Sequence, residues 1–96
     1  MSDQPGPKQQ GLSVKISDEM HQGVYANRVI IAHSAEEFVF DFVADLPPGP
    51  AVVARVITAP AHALALLEAL NENIGRYQHS HGAIRRPAGP APTANA

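Results

Sequence analysis

The chain is 96 residues long, 45% hydrophobic and 17% charged, with a net charge of −2 and no cysteine. Lack of cysteine excludes disulfides, thiolate catalysis and cysteine-ligated zinc or iron–sulfur centres, and the mild acidity gives no footprint for a phosphate backbone, so nucleic acid is not an expected partner. A domain of this length buries only about 60% of the surface its unfolded chain exposes, which makes a second subunit the natural reinforcement.

Residues 1–11 hold Pro, Gly, Gln and Lys with almost nothing to bury and are expected to be a disordered tail. They offer no apolar stretch to serve as a signal segment, and the hydrophobic runs elsewhere are too short to span a bilayer, so a cytoplasmic protein is expected. Leu12, Val14 and Ile16 alternate with Ser13, Lys15 and Ser17, the pattern of a short half-buried strand. Residues 18–23 read as a connection, with Gly23 free to take a positive φ. The run 24–33 is rich in β-branched and aromatic residues and predicts a longer strand.

Ser34-Ala35-Glu36-Glu37 has the form of a capping box, in which the Ser34 hydroxyl and Glu37 carboxylate satisfy backbone amides reciprocally, here in a tight turn. The period of two then resumes. Phe38, Phe40 and Phe42 share one face of a strand and Val39, Asp41 and Val43 the other, so every phenylalanine of the chain is placed at the centre of the expected core. Leu46-Pro47-Pro48-Gly49-Pro50 predicts a reversal in which proline presets the first corner and Gly49 supplies a positive φ. Beyond it, Val52, Ala54 and Val56 alternate with Val53, Arg55 and Ile57. Short reversals between successive strands favour an antiparallel meander of four.

At Pro60 the hydrophobic period changes from two to three-and-four. Proline is tolerated in the first turn of a helix, where amides lack intrahelical partners. Ala63, Leu67, Leu70, Ile74 and Tyr77, flanked by Leu66, form one stripe; Glu68, Asn71, Glu72 and Gln78 mark the wetter side, with Glu72 and Arg76 four apart. Gly75 costs about 1 kcal/mol relative to alanine and suggests either close packing or a weak spot. Gly82 is the predicted C-terminal stop. Residues 86–96 are expected to be a second disordered tail, leaving 12–85 as the single domain.

The sequence resembles a family of small bacterial and archaeal proteins known as domain of unknown function 3467. The carriers are Gly23-Val24-Tyr25-Ala26-Asn27, His33-Ser34 with Glu36-Glu37-Phe38, Asp41-Phe42, Arg55-Val56-Ile57, Pro60 and His62-Ala63, completed by Leu67, Leu70, Asn73-Ile74, Tyr77 and Gly82. The resemblance implies a family membership and no activity. Members tend to carry a charged residue or two and an aromatic between the tyrosine and the glycine, where this chain has Gln78-His79-Ser80-His81, so the resemblance implies no shared metal role.

Chemistry-bearing groups are few. His79 and His81 are the one ligand-like pair, yet residues two apart on a helix diverge by about 200°, so a polar helix end is the better reading and metal binding an alternative. His33 and His62, each at an element boundary, read as packing or capping groups. Glu36 and Glu37 are adjacent and diverge, which does not make a general acid–base pair. Serine nucleophile elbows and phosphate-cradling glycine loops are absent, so neither an enzyme nor a cofactor is expected. Tyr25, Asn27 and Asp41 read as a polar spot, with Arg55 as the cross-strand partner of Asp41.

These patterns predict an α+β fold: a four-stranded antiparallel meander with one C-terminal amphipathic helix packed on its phenylalanine face. The other face keeps Val39, Asp41, Val43, Val53, Arg55 and Ile57, a partly apolar patch of the kind that marks an interface. The expected function is a non-enzymatic, homo-oligomeric interaction or assembly module, most simply a homodimer. The alternatives are a chaperone-like or accessory subunit that binds other polypeptides, and a metal-binding protein using His79 and His81.

Overall fold

The α+β class is what the chain adopts in a computed structural model that describes residues 3–9, 11–86 and 93–94. Three antiparallel strands form the body of the main sheet: β3 (Arg28–His33), β4 (Phe38–Leu46) and β5 (Gly49–Thr58), in the order β5-β4-β3. A long helix, α2 (Pro60–His81), follows β5 after the single residue Ala59. Upstream, β1 (Asp3–Gln9) and β2 (Leu12–Ser17) pair antiparallel as a separate two-stranded ribbon, followed by the short helix α1 (Asp18–Gln22).

The strand expected over 12–17 therefore forms but does not join the meander; its partner is the 3–9 segment, from the stretch read as a tail. The cause lies in the connection. Residues 18–22 coil rather than reverse: the Ser17 hydroxyl accepts the Met20 amide at 3.2 Å, Asp18 and Glu19 sit at the positive end of the helix, and Gly23 ends it at φ 71°. That turn carries the chain off instead of laying 12–17 beside β3. The fourth position in the main sheet goes to β6 (Thr93–Ala94), which pairs parallel with β3 at Ile30 and Ile31. The rest of the expected tail 86–96, apart from Arg86, lies outside the described residues.

The two hairpins differ from expectation in chemistry, not in place. Between β3 and β4 the Ser34 amide donates to the Glu37 backbone carbonyl at 2.9 Å, and the Ser34 hydroxyl accepts the Glu36 amide at 3.2 Å; the Glu37 carboxylate takes no part in these bonds. Between β4 and β5 the bend is Pro47–Pro48 with a cis bond, closed by the pairing of Leu46 with Gly49. Proline in cis at the third turn position makes the reversal, and no positive φ at Gly49 is used.

Register defines the faces. Phe38, Phe40 and Phe42 pair with His33, Ile31 and Val29 on β3 and with Thr58, Val56 and Ala54 on β5, giving an inner face that α2 overlies. Val39 and Asp41 pair with Ala32 and Ile30 on one side and Ile57 and Arg55 on the other, giving the outer face. A bulge after Phe42 shifts the ladder so that Val43 pairs with Val52, leaving Val53 as the extra residue on β5. Among the described residues, only Phe40, 9% exposed, and Val43, 4% exposed, are buried apolar side chains.

Candidate interaction surfaces

The outer face is organised around a charge pair. Arg55 donates from Nε to Asp41 Oδ1 at 2.7 Å and from a terminal nitrogen to Oδ2 at 2.8 Å, the bidentate geometry that matches guanidinium to carboxylate. The two hydrogen bonds from Arg55, and secondarily its positive charge, hold the Asp41 carboxyl below its ordinary value against the opposing effect of desolvation. Arg55 is correspondingly held more firmly protonated, first by the bond to Asp41 and then by its charge.

Of the six residues expected to form an outer patch, Val39, Asp41, Arg55 and Ile57 share the face on adjacent strands. Val43 lies there too but is buried, opposite the bulged strand, and so belongs to the core. Val53 stands at the bulge, where strict alternation fails. Val52, which alternation assigns to the inner face, pairs with Val43 and is exposed together with Ile57. The signal for this exchange is absent from the sequence, because nothing in Ala51-Val52-Val53-Ala54 marks where an extra residue enters.

Asn27 and Asp45 form a second polar feature that sequence pattern only half revealed. Asn27 Nδ2 donates to the Asp45 carbonyl at 3.3 Å, Asn27 Oδ1 accepts the Asp45 amide at 2.8 Å, and the Asn27 amide donates to the Val43 carbonyl at 3.0 Å. Its side chain thus imitates a strand peptide and prolongs the β3–β4 ladder past Arg28, while Arg28 reaches the Asp45 carboxylate at 3.1 Å. Asn27 is committed to this clasp. Tyr25, read with it as a polar spot, is exposed.

The inner face has the opposite character. Ile31, Phe38 and Phe40 form the floor, and Leu66, Leu67 and Leu70 of α2 the wall, of an open groove of about 400 Å³ whose lining carries no charged side chain. No residue of α2 is buried; Leu67 and Leu70 remain 55% and 52% exposed. The expected covering of the phenylalanine face by α2 is thus an overhang rather than a sealed layer. Ala59 accounts for this: it is the only residue between the paired end of β5 and Pro60, and a residue before proline is confined to extended conformations, here φ −73° and ψ 155°.

Two of the histidines, His33 and His81, lie against aromatic rings. His33 stacks on Phe38 with ring centroids 5.4 Å apart, and Phe38 continues the stack to Phe40 at 6.3 Å. The His62 amide donates to the Ala59 carbonyl in the first turn of α2. His79 and His81 are both within regular helix, so they point to different sides, and the His81 ring lies 4.9 Å from Tyr77. Among the described residues no group of three or more His, Asp or Glu is placed to hold a metal ion. No helix among them is long and apolar enough to cross a membrane.

Sheet, overhanging helix and charge-paired outer face define a small α+β domain with more apolar surface than it covers by itself. The chain belongs to the family described as "Protein of unknown function (DUF3467)", which matches residues 1–86. No curated protein and no solved structure gives a significant match.

Proposed function

We propose that this chain is a non-enzymatic protein-interaction module that works as an assembly of its own copies. The observation that carries this reading is the scarcity of buried side chains: among the described residues only Phe40 and Val43 are buried apolar groups, while large apolar residues on both faces stay more than a third exposed.

On the outer face, Ile57 and Val52 flank the Asp41–Arg55 pair, whose charges are already matched within one chain. A second copy meeting this face covers valine and isoleucine without stranding a charge. Light scattering after size exclusion at micromolar concentration is the test. The expected mass is at least twice 10.2 kDa, and Ile57→Lys lowers it toward the monomer. A wild-type chain that stays monomeric overturns the reading. The charge-free groove favours a second reading, an accessory subunit for another polypeptide; it gains ground if the monomer assembles only with a different chain in fixed stoichiometry.

A further inference from the structure

We infer that the groove under α2 is filled by α2 of a second copy, each chain laying its leucine stripe on the other's phenylalanine floor. This rests on the reading that copies assemble and adds to the outer-face contact a second one, on the inner face. Three observations converge on that occupant. The groove is lined by apolar side chains alone, so it accepts an uncharged ridge and rejects a charged one. The stripe of α2 is such a ridge, and Leu66, Leu67, Leu70 and Tyr77 stay exposed along it. Each helix therefore carries apolar surface that its own sheet leaves uncovered.

The third observation is the junction. Thr58 is paired with Phe38 at the end of β5, Pro60 already starts the helix, and Ala59 between them is held extended. With one residue to turn in, α2 leaves its own sheet at a fixed angle and overhangs instead of closing, whereas a helix arriving from a second copy has no such tether. Short hinges of this kind favour exchange of an element between identical chains. The exchange is reciprocal, so two grooves and two stripes are satisfied in one closed pair.

The absence of native cysteine makes the test direct. Ile31→Cys lies on the floor and Leu70→Cys on the stripe. The two single-cysteine chains, one carrying a tag, are unfolded together, refolded and oxidised; a covalent heterodimer is expected, and the double variant is expected to give linked dimers rather than internally linked monomers. An assembled protein whose double variant links only within one chain overturns the exchange and leaves self-association standing; a wild-type monomer overturns both. A second variant avoids substituting the groove: a Gly-Ser-Gly-Ser insertion after Ala59 frees α2 to close on its own floor and is expected to raise the self-association Kd about tenfold or more. An unchanged Kd in that variant counts against exchange.

Discussion

Asp41 and Arg55 face each other directly across β4 and β5, joined by two hydrogen bonds of 2.7 and 2.8 Å, with 15% of the aspartate side chain exposed and 62% of the arginine. The carboxylate lies at the sheet surface between apolar strand residues, and its arginine extends over it toward solvent. Such a pair sets register as well as charge, since a slip of β5 by one residue sends Arg55 to the opposite face.

The pair makes stability depend on acid. The Asp41 carboxyl is held below its ordinary value of 3.8, chiefly by the hydrogen bonds from Arg55. A lowered folded-state pKa contributes stability that is complete above the unfolded value and is lost as pH falls through the folded one. Thermal melts of wild type and Asp41→Asn are expected to differ most near neutral pH and to converge as the pH drops below about 4. A gap that is constant down to about pH 2 removes the pair from the account of acid sensitivity.

Much of this arrangement is legible in the sequence. Alternation in Phe38-Val39-Phe40-Asp41-Phe42 assigns the two faces of β4, and the change of period at Pro60 with Gly82 as stop brackets α2, because side-chain direction follows local backbone geometry. What stayed hidden is non-local. The pairing of 3–9 with 12–17 uses backbone groups that carry no side-chain signal, and the Asn27–Asp45 clasp joins residues eighteen apart. The helical period likewise states which side of α2 is apolar but not how far Ala59 and Pro60 hold that side from the sheet.

Gly75 is the simplest target for stabilisation. It lies inside α2, and a Cβ built there meets no atom within 4 Å, so close packing does not account for the glycine. Gly75→Ala removes the excess backbone entropy of glycine and is expected to add about 1 kcal/mol. In a domain of this length the melting temperature rises by about 4–8 °C. A drop instead indicates that the site is covered when copies assemble.

Ala59 occupies the N-cap of α2 with the right backbone geometry and no side-chain acceptor. Aspartate at that position can accept an amide hydrogen of the first turn and places a negative charge at the positive end of the helix. Ala59→Asp is expected to stabilise by about 0.5–2 kcal/mol in denaturant titration, with the slope unchanged. The same variant leaves the hinge length as it is, so its self-association is expected to match wild type.

Asn27 yields the sharpest local prediction, because its amide group both donates to and accepts from one backbone residue, Asp45. Asn27→Ala removes both bonds at an exposed ladder end, and with each net bond contributing about 0.5–1.5 kcal/mol the loss is expected to total about 1–2 kcal/mol. Asn27→Asp keeps the acceptor but loses the donor, and it sets a carboxylate against the Asp45 carbonyl and near its carboxylate, so it is expected to cost more than alanine. Hydrogen exchange separates this mechanism from general destabilisation. The Asp45 amide, bonded to Asn27 Oδ1 at 2.8 Å, is expected to lose protection in Asn27→Ala well beyond the amides of Val39 and Asp41 in the same strand. Uniform loss along β4 points instead to fraying of the whole hairpin and removes the clasp as a distinct element.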